Sequence, residues 1–269
     1  MKSFFASLIL LTSLACGGSK HDDPKPPVPP PAVKTAMPQG TYAAKPKAAL
    51  AMITAAAAQA APIGSIPQTL IVTPGGLFRF ELDNWYHAQG AMLIDSAGQM
   101  FVSDDATLTN AAGATVPLIL TGQKTGNTLT GISNGGAFSL ELTSIQDQPS
   151  ELPSKAGSYI SQCSSNGQVV KLTIDAGGHI NGLAYPSQAD AAAGANQICL
   201  YYGTLSHADG DTAHQKNCFN IGFSRDNLGG GTFGLAYFLS DGSLISLTAN
   251  PGNPNVGSGQ FSALFSKVQ

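Results

Sequence analysis

Charge is scarce in this chain. Asp, Glu, Lys and Arg make up 11% of its 269 residues, with a formal balance of −3. No Lys/Arg stripe runs through it, so a nucleic-acid binder's electrostatic footprint is missing. Beyond the N-terminus no apolar run reaches the roughly 18 residues that a membrane-crossing helix needs. Catalytic signatures are missing too. Ser-x-x-Lys, His-Glu-x-x-His and a phosphate loop do not occur. Gly229-Gly230-Gly231 precedes a strand-like run rather than a helix, so it does not form a dinucleotide loop. The expectation is a protein that is not an enzyme and carries no cofactor.

What the chain does contain begins with an address. Lys2 supplies a positive charge. Phe4 to Leu14 form an apolar run of about ten residues, too short to span a bilayer and suited to a secretory signal. The run ends in Ser13-Leu14-Ala15-Cys16-Gly17-Gly18-Ser19, which resembles the lipobox of bacterial lipoproteins. The resemblance implies a signal peptide over 1–15, cleavage before Cys16 and acylation of that cysteine. Ser13 departs from the aliphatic residue usual there, and Ser13-Leu14-Ala15 also suits general signal peptidase. Two or three acyl chains anchor where a single chain does not. Gly17 is not Asp, which by the same resemblance favours the outer membrane over inner-membrane retention.

Residues 16–38 then read as a tether. Lys25-Pro26-Pro27-Val28-Pro29-Pro30-Pro31 favours polyproline II, a semi-rigid spacer of about 3.1 Å per residue. An Ala-dense insertion at 48–61 carries few large apolar anchors and reads as a loose addition to the body.

The body divides at the Pro-punctuated join of Pro149 to Pro153, giving modules at 39–150 and 151–269. The fold class expected is all-β and antiparallel. The C-terminal module shows eight strand-like runs: 158–162, 169–175, 179–185, 198–206, 217–224, 232–239, 243–249 and 259–267. Val170, Leu172 and Ile174 alternate with Lys171, Thr173 and Asp175, the period of a half-buried strand. An eight-stranded up-and-down barrel or a sandwich satisfies that pattern, and a barrel removes exposed edges. The N-terminal module reads as a related, smaller β unit with runs at 69–73, 76–82, 91–95, 99–103, 116–122, 127–133 and 136–143.

The halves share motifs. Gly40-Thr41-Tyr42 matches Gly157-Ser158-Tyr159. Ile94-Asp95-Ser96-Ala97-Gly98 matches Ile174-Asp175-Ala176-Gly177-Gly178, both hairpin signals. Gly135-Gly136-Ala137-Phe138 resembles Gly230-Gly231-Thr232-Phe233. The offsets between matches differ, by about the length of the Ala-rich insertion with its flanks. Lipobox, tether and tandem Gly-x-Tyr modules together resemble a group of uncharacterised proteobacterial outer-membrane lipoproteins, a likeness that implies no activity.

Candidate sites are few. Export permits disulfides. A hairpin centred on Ala208-Asp209 would set Cys199 opposite Cys218, so those two are expected to be bonded and Cys163 left over. His207, Asp209, Asp211 and His214 place imidazoles and carboxylates of metal-binding type within one segment. That segment is a polar Asp/Gly loop, ordinary turn chemistry, so no metal is expected. Asp95 and Asp175, repeated in matching turns, read as caps of backbone N–H groups. Trp85 and Tyr86 could stack on a sugar or another planar face, although packing accounts for them equally. Of Tyr201 and Tyr202, one should face inward and one outward.

The expected role is non-enzymatic binding or scaffolding by a body tethered to the membrane through its lipid, with an envelope protein as partner and no nucleic acid. The alternatives are a carrier of a small hydrophobic ligand in a barrel lumen and a surface-exposed adhesin or antigen.

Overall fold

A computed structural model describes residues 33–36, 40–43, 68–82, 86–109, 114–144, 150–164, 168–208, 217–225, 231–249 and 261–268. The N-terminal half contributes β1 (Thr35–Ala36), β2 (Gly40–Ala43), β3 (Thr69–Val72), β4 (Leu77–Glu81), β5 (His87–Ile94), β6 (Gln99–Val102), β7 (Thr107–Thr109), β8 (Thr115–Pro117), β9 (Leu120–Thr125), β10 (Thr128–Ser133) and β11 (Gly136–Ser144). The C-terminal half contributes α1 (Leu152–Lys155), β12 (Gly157–Ser164), β13 (Val169–Ile174), β14 (His179–Tyr185), α2 (Gln188–Ala193), β15 (Cys199–His207), β16 (Phe219–Arg225), β17 (Gly231–Phe238), β18 (Leu244–Ala249) and β19 (Phe261–Val268).

The fold is all-β, with two eight-stranded antiparallel barrels in tandem. In the C-terminal barrel each strand pairs with the next, and β19 closes on β12 with Ser158 opposite Val268. The alternation in β13 has the expected result. Val170, Leu172 and Ile174 are buried inside, while Thr173 is exposed. The N-terminal half also closes completely, in the ring order β2-β3-β4-β5-β6-β9-β10-β11 and back to β2. A β7–β8 hairpin branches from β5 rather than entering the ring.

Both interiors are filled with side chains. Tyr159, Phe219 and Phe238 pack ring on ring in the C-terminal barrel, with centroids 6.0 and 5.5 Å apart. Phe80 and Phe138 do the same in the N-terminal one at 5.2 Å, edge to face, a favoured aromatic geometry. The short α1 lets Leu152 pack against the C-terminal core, and the Tyr159 hydroxyl donates to the Lys155 carbonyl at 2.6 Å.

The matching hairpins are built alike. Asp95 Oδ1 accepts from the N–H groups of Ala97 and Gln99, both at 2.9 Å. Asp175 Oδ1 accepts from Gly177 and His179, both at 2.8 Å. These bonds favour ionised Asp175, and with the His179 side chain they hold its carboxyl below the usual range. Gly98 and Gly178 have φ of 85° and 83°, a region that disfavours a side chain. A Cβ at Gly178 would also meet the Leu205 carbonyl.

The turn recurs at Thr73–Leu77 and Leu239–Ser243, with the same pair of backbone hydrogen bonds. It is therefore a general solution for these hairpins and does not align the barrels. Between β2 and the Asp95 turn lie β3, β4 and β5, whereas between β12 and the Asp175 turn lies only β13. The unequal offset thus includes a whole extra hairpin, so the Ala-rich insertion does not account for it alone.

Candidate functional site

Strand β3 reads Thr69-Leu70-Ile71-Val72 and is buried on both faces. Leu70 and Val72 point into the N-terminal barrel. Ile71 points outward and packs with Leu235, Tyr237, Ile245 and Leu247 on the outer face of the C-terminal barrel. The two barrels therefore share an apolar seam, within one compact unit, Val33–Gln269.

The neighbouring β4 explains what borders that seam. Phe78 and Phe80 point inward and are fully buried, which turns Leu77, Arg79 and Glu81 outward by the strand's period of two. Glu81 lies opposite His87 of β5 and Arg79 lies opposite Gln89. Glu81 Oε2 accepts from the Ser262 hydroxyl of β19 at 2.8 Å and lies 3.3 Å from His87 Nδ1. Glu81, His87 and Ser262 are all buried. Glu81 Oε1 and His87 Nε2 have no hydrogen-bond partner. A serine, a carboxylate and a histidine thus meet, but not as a nucleophile system. Both Ser262 and His87 address the same carboxylate oxygen, so the imidazole is not placed to take the serine proton. Substrate has no approach to groups this buried.

Beside the seam the barrels diverge into a cleft of about 600 Å³. Its N-terminal wall is Leu77, Arg79 and Gln89, with Asp105 from the turn before β7. Its C-terminal wall is Thr204 and Ser206 of β15, Asn220 of β16 and Phe233 of β17. Phe233 is 61% exposed, unusual for a phenyl ring. Arg79 is half-buried, its Nε has no hydrogen-bond acceptor, and no carboxylate among the described residues pairs with it. Burial alone lowers its guanidinium from the ordinary arginine range to about 10, because removal from water penalises the charged form. The cleft thus combines an uncompensated cation, an exposed ring, neutral donors and acceptors, and one exposed carboxylate. Such groups can hold a ligand by charge, stacking and hydrogen bonds.

The residues singled out by sequence fall elsewhere. Cys199 and Cys218 are both buried and are not bonded to each other, so the expected disulfide is corrected. His207 pairs with Phe219, and the Ala208 N–H donates to the Cys218 carbonyl at 3.0 Å. Cys199 begins β15, about nine residues or roughly 30 Å of strand away, whereas a disulfide needs Cα atoms within about 7 Å. The strands are registered with His207 opposite Phe219 rather than about Ala208-Asp209, the assumed centre. Cys163 lies on β12 opposite Leu264.

His207 lies against the Phe219 ring, with centroids 5.2 Å apart, and is not in the inter-barrel cleft. Asp209, Asp211 and His214 lie outside the described residues, as do Cys16, the tether, the Ala-rich insertion and Trp85. Among the described residues no group of His, Cys, Asp or Glu is arranged to hold a metal. Tyr86 packs against the N-terminal core. Tyr201 faces inward and Tyr202 is exposed, the expected split.

Sequence reasoning missed Arg79, Phe233 and the Glu81–His87–Ser262 cluster. One signal was present: the chain has only two arginines, Arg79 and Arg225, and Arg79 sits between phenylalanines in a strand. Compared with known proteins, the chain matches no family model, no curated protein and no solved structure.

Proposed function

We propose that this chain is a lipid-anchored outer-membrane lipoprotein whose double-barrel body binds or scaffolds an envelope partner without catalysing a reaction. The anchoring part rests on Ser13-Leu14-Ala15-Cys16 and the Pro-rich tether behind it. The binding part rests on one observation: both barrels are filled by their own side chains, leaving outer faces and the inter-barrel cleft for contact. A tether of this kind raises the local concentration of the body near a membrane partner. A lumen carrier would need space that Tyr159, Phe219 and Phe238 occupy.

The test is the intact mass of the protein purified from membranes, beside a Cys16→Ala variant. The expected result is an increment of two or three acyl chains, lost in the variant together with membrane retention. A chain that is soluble and unacylated in both cases would overturn the anchoring. A hydrophobic molecule retained at unit stoichiometry by the purified body would replace binding at the surface with carriage in the lumen. Protease shaving of whole cells would distinguish a surface adhesin from a periplasmic body.

A further inference from the structure

We infer that the inter-barrel cleft is a binding site for an acidic sugar, a carbohydrate unit carrying a carboxylate, free or at the end of a glycan. The inference names the ligand class of the binding role proposed above and rests on that role.

An uncompensated guanidinium in a half-buried wall asks for an anion. Arg79 has no acceptor at Nε and no carboxylate partner among the described residues, and its planar fork matches a carboxylate in two parallel hydrogen bonds. Its depressed titration agrees with a charge that burial has left uncompensated.

The rest of the lining selects among anions. A bare inorganic ion would have no use for Phe233, whose exposed ring borders the same space. The apolar C–H face of a pyranose stacks on such a ring. Around it stand Thr204, Ser206, Asn220 and Gln89, hydroxyl and amide groups that both donate and accept. Asp105, the other charged group in the lining, is exposed and can accept from sugar hydroxyls. A cavity of about 600 Å³ lies in the usual range for a small-molecule site and holds one or two sugar rings.

The experiment is calorimetric titration of the purified full chain with glucuronic acid and with N-acetylneuraminic acid. Glucose and acetate serve as probes of each half of the recognition. A ligand of this size should bind with a dissociation constant of about 0.1–1 mM. Glucose and acetate should each bind at least about tenfold more weakly. Arg79→Gln should weaken the acidic sugars by about tenfold or more, with Arg79→Lys between it and wild type. Phe233→Ala, an exposed position that leaves both cores intact, should weaken them by about three- to tenfold.

No binding of either acidic sugar at about ten times that concentration would overturn the inference. So would acetate binding as tightly as the sugars with Phe233→Ala silent, which would mark a simple anion site. Glucose binding equally well would overturn the role of Arg79. All these results are independent of the acyl mass at Cys16, so a failure here leaves the anchored reading to its own test.

Discussion

Removing the Ser262 hydroxyl should destabilise the protein by more than its exposed polar positions would. Ser262 donates to Glu81 Oε2 at 2.8 Å across the seam between the barrels. Without it, that carboxylate keeps only the longer 3.3 Å approach of His87 Nδ1, and Oε1 already has no partner. Leaving a buried polar group without its hydrogen-bond partner costs about 1–3 kcal/mol. We therefore expect Ser262→Ala to lose about 1–3 kcal/mol, a drop of roughly 1 M in the urea midpoint. The decisive measurement is a double-mutant cycle with Glu81→Leu. In the leucine background the carboxylate is gone, so Ser262→Ala should cost less than in the wild type by about 1 kcal/mol or more. An equal cost in both backgrounds would show that the serine stabilises the fold by other contacts, and the reasoning would fail.

Other outcomes follow from the same geometry. Arg79→Met should stabilise the protein by about 1–3 kcal/mol near neutral pH, because a buried charge without a partner is replaced by apolar volume. The arginine's folded value is depressed to about 10. Its penalty is therefore complete below pH 10 and fades as pH rises above it, and a denaturation series upward from pH 10 should show the advantage shrinking. Tyr159 shows the opposite sign. Burial pushes its phenol up to about 12, so its contribution is intact below pH 10 and is lost as pH rises through 12. Tyr159→Phe should cost about 1 kcal/mol through the lost bond to Lys155 and remove that alkaline step. Peptide mapping without reductant should find no Cys199–Cys218 cross-link. Gly178→Ala should cost at least about 1–3 kcal/mol from its backbone conformation alone, measured by thermal melting.

The C-terminal barrel was legible because its information is local. Several of its eight strands carry their own alternation and turn residues, and observed boundaries fall within two residues of the expected runs. The N-terminal barrel was harder, since β3 is apolar or buried on both faces and its first strand stands far from its second. The disulfide failed because the strands were registered on the wrong turn, and register slips silently when only composition marks the loop. The cleft was not legible at all. Its walls come from β4 and β5 on one side and β15, β16 and β17 on the other, and only docking of two closed barrels brings Arg79 toward Phe233. Trp85-Tyr86 attracted attention as an aromatic pair, yet Tyr86 serves the core. Asp95 and Asp175 were read correctly, because an aspartate capping its own turn is a short-range event.

The pairing of β19 with β12 has a consequence for how the chain matures. Strand β19 supplies the partner for β12, the first strand of its barrel, so that barrel cannot close until β19 has been made. Contacts that join distant ends of a segment make folding slow. Until Phe261–Val268 arrives, β12 and β18 present unpaired edges, the surfaces by which strands aggregate or attract chaperones. A chain shortened before Phe261 would keep those edges permanently. Strand β19 thus decides whether both edges are buried: with it they are paired, and without it they stay open.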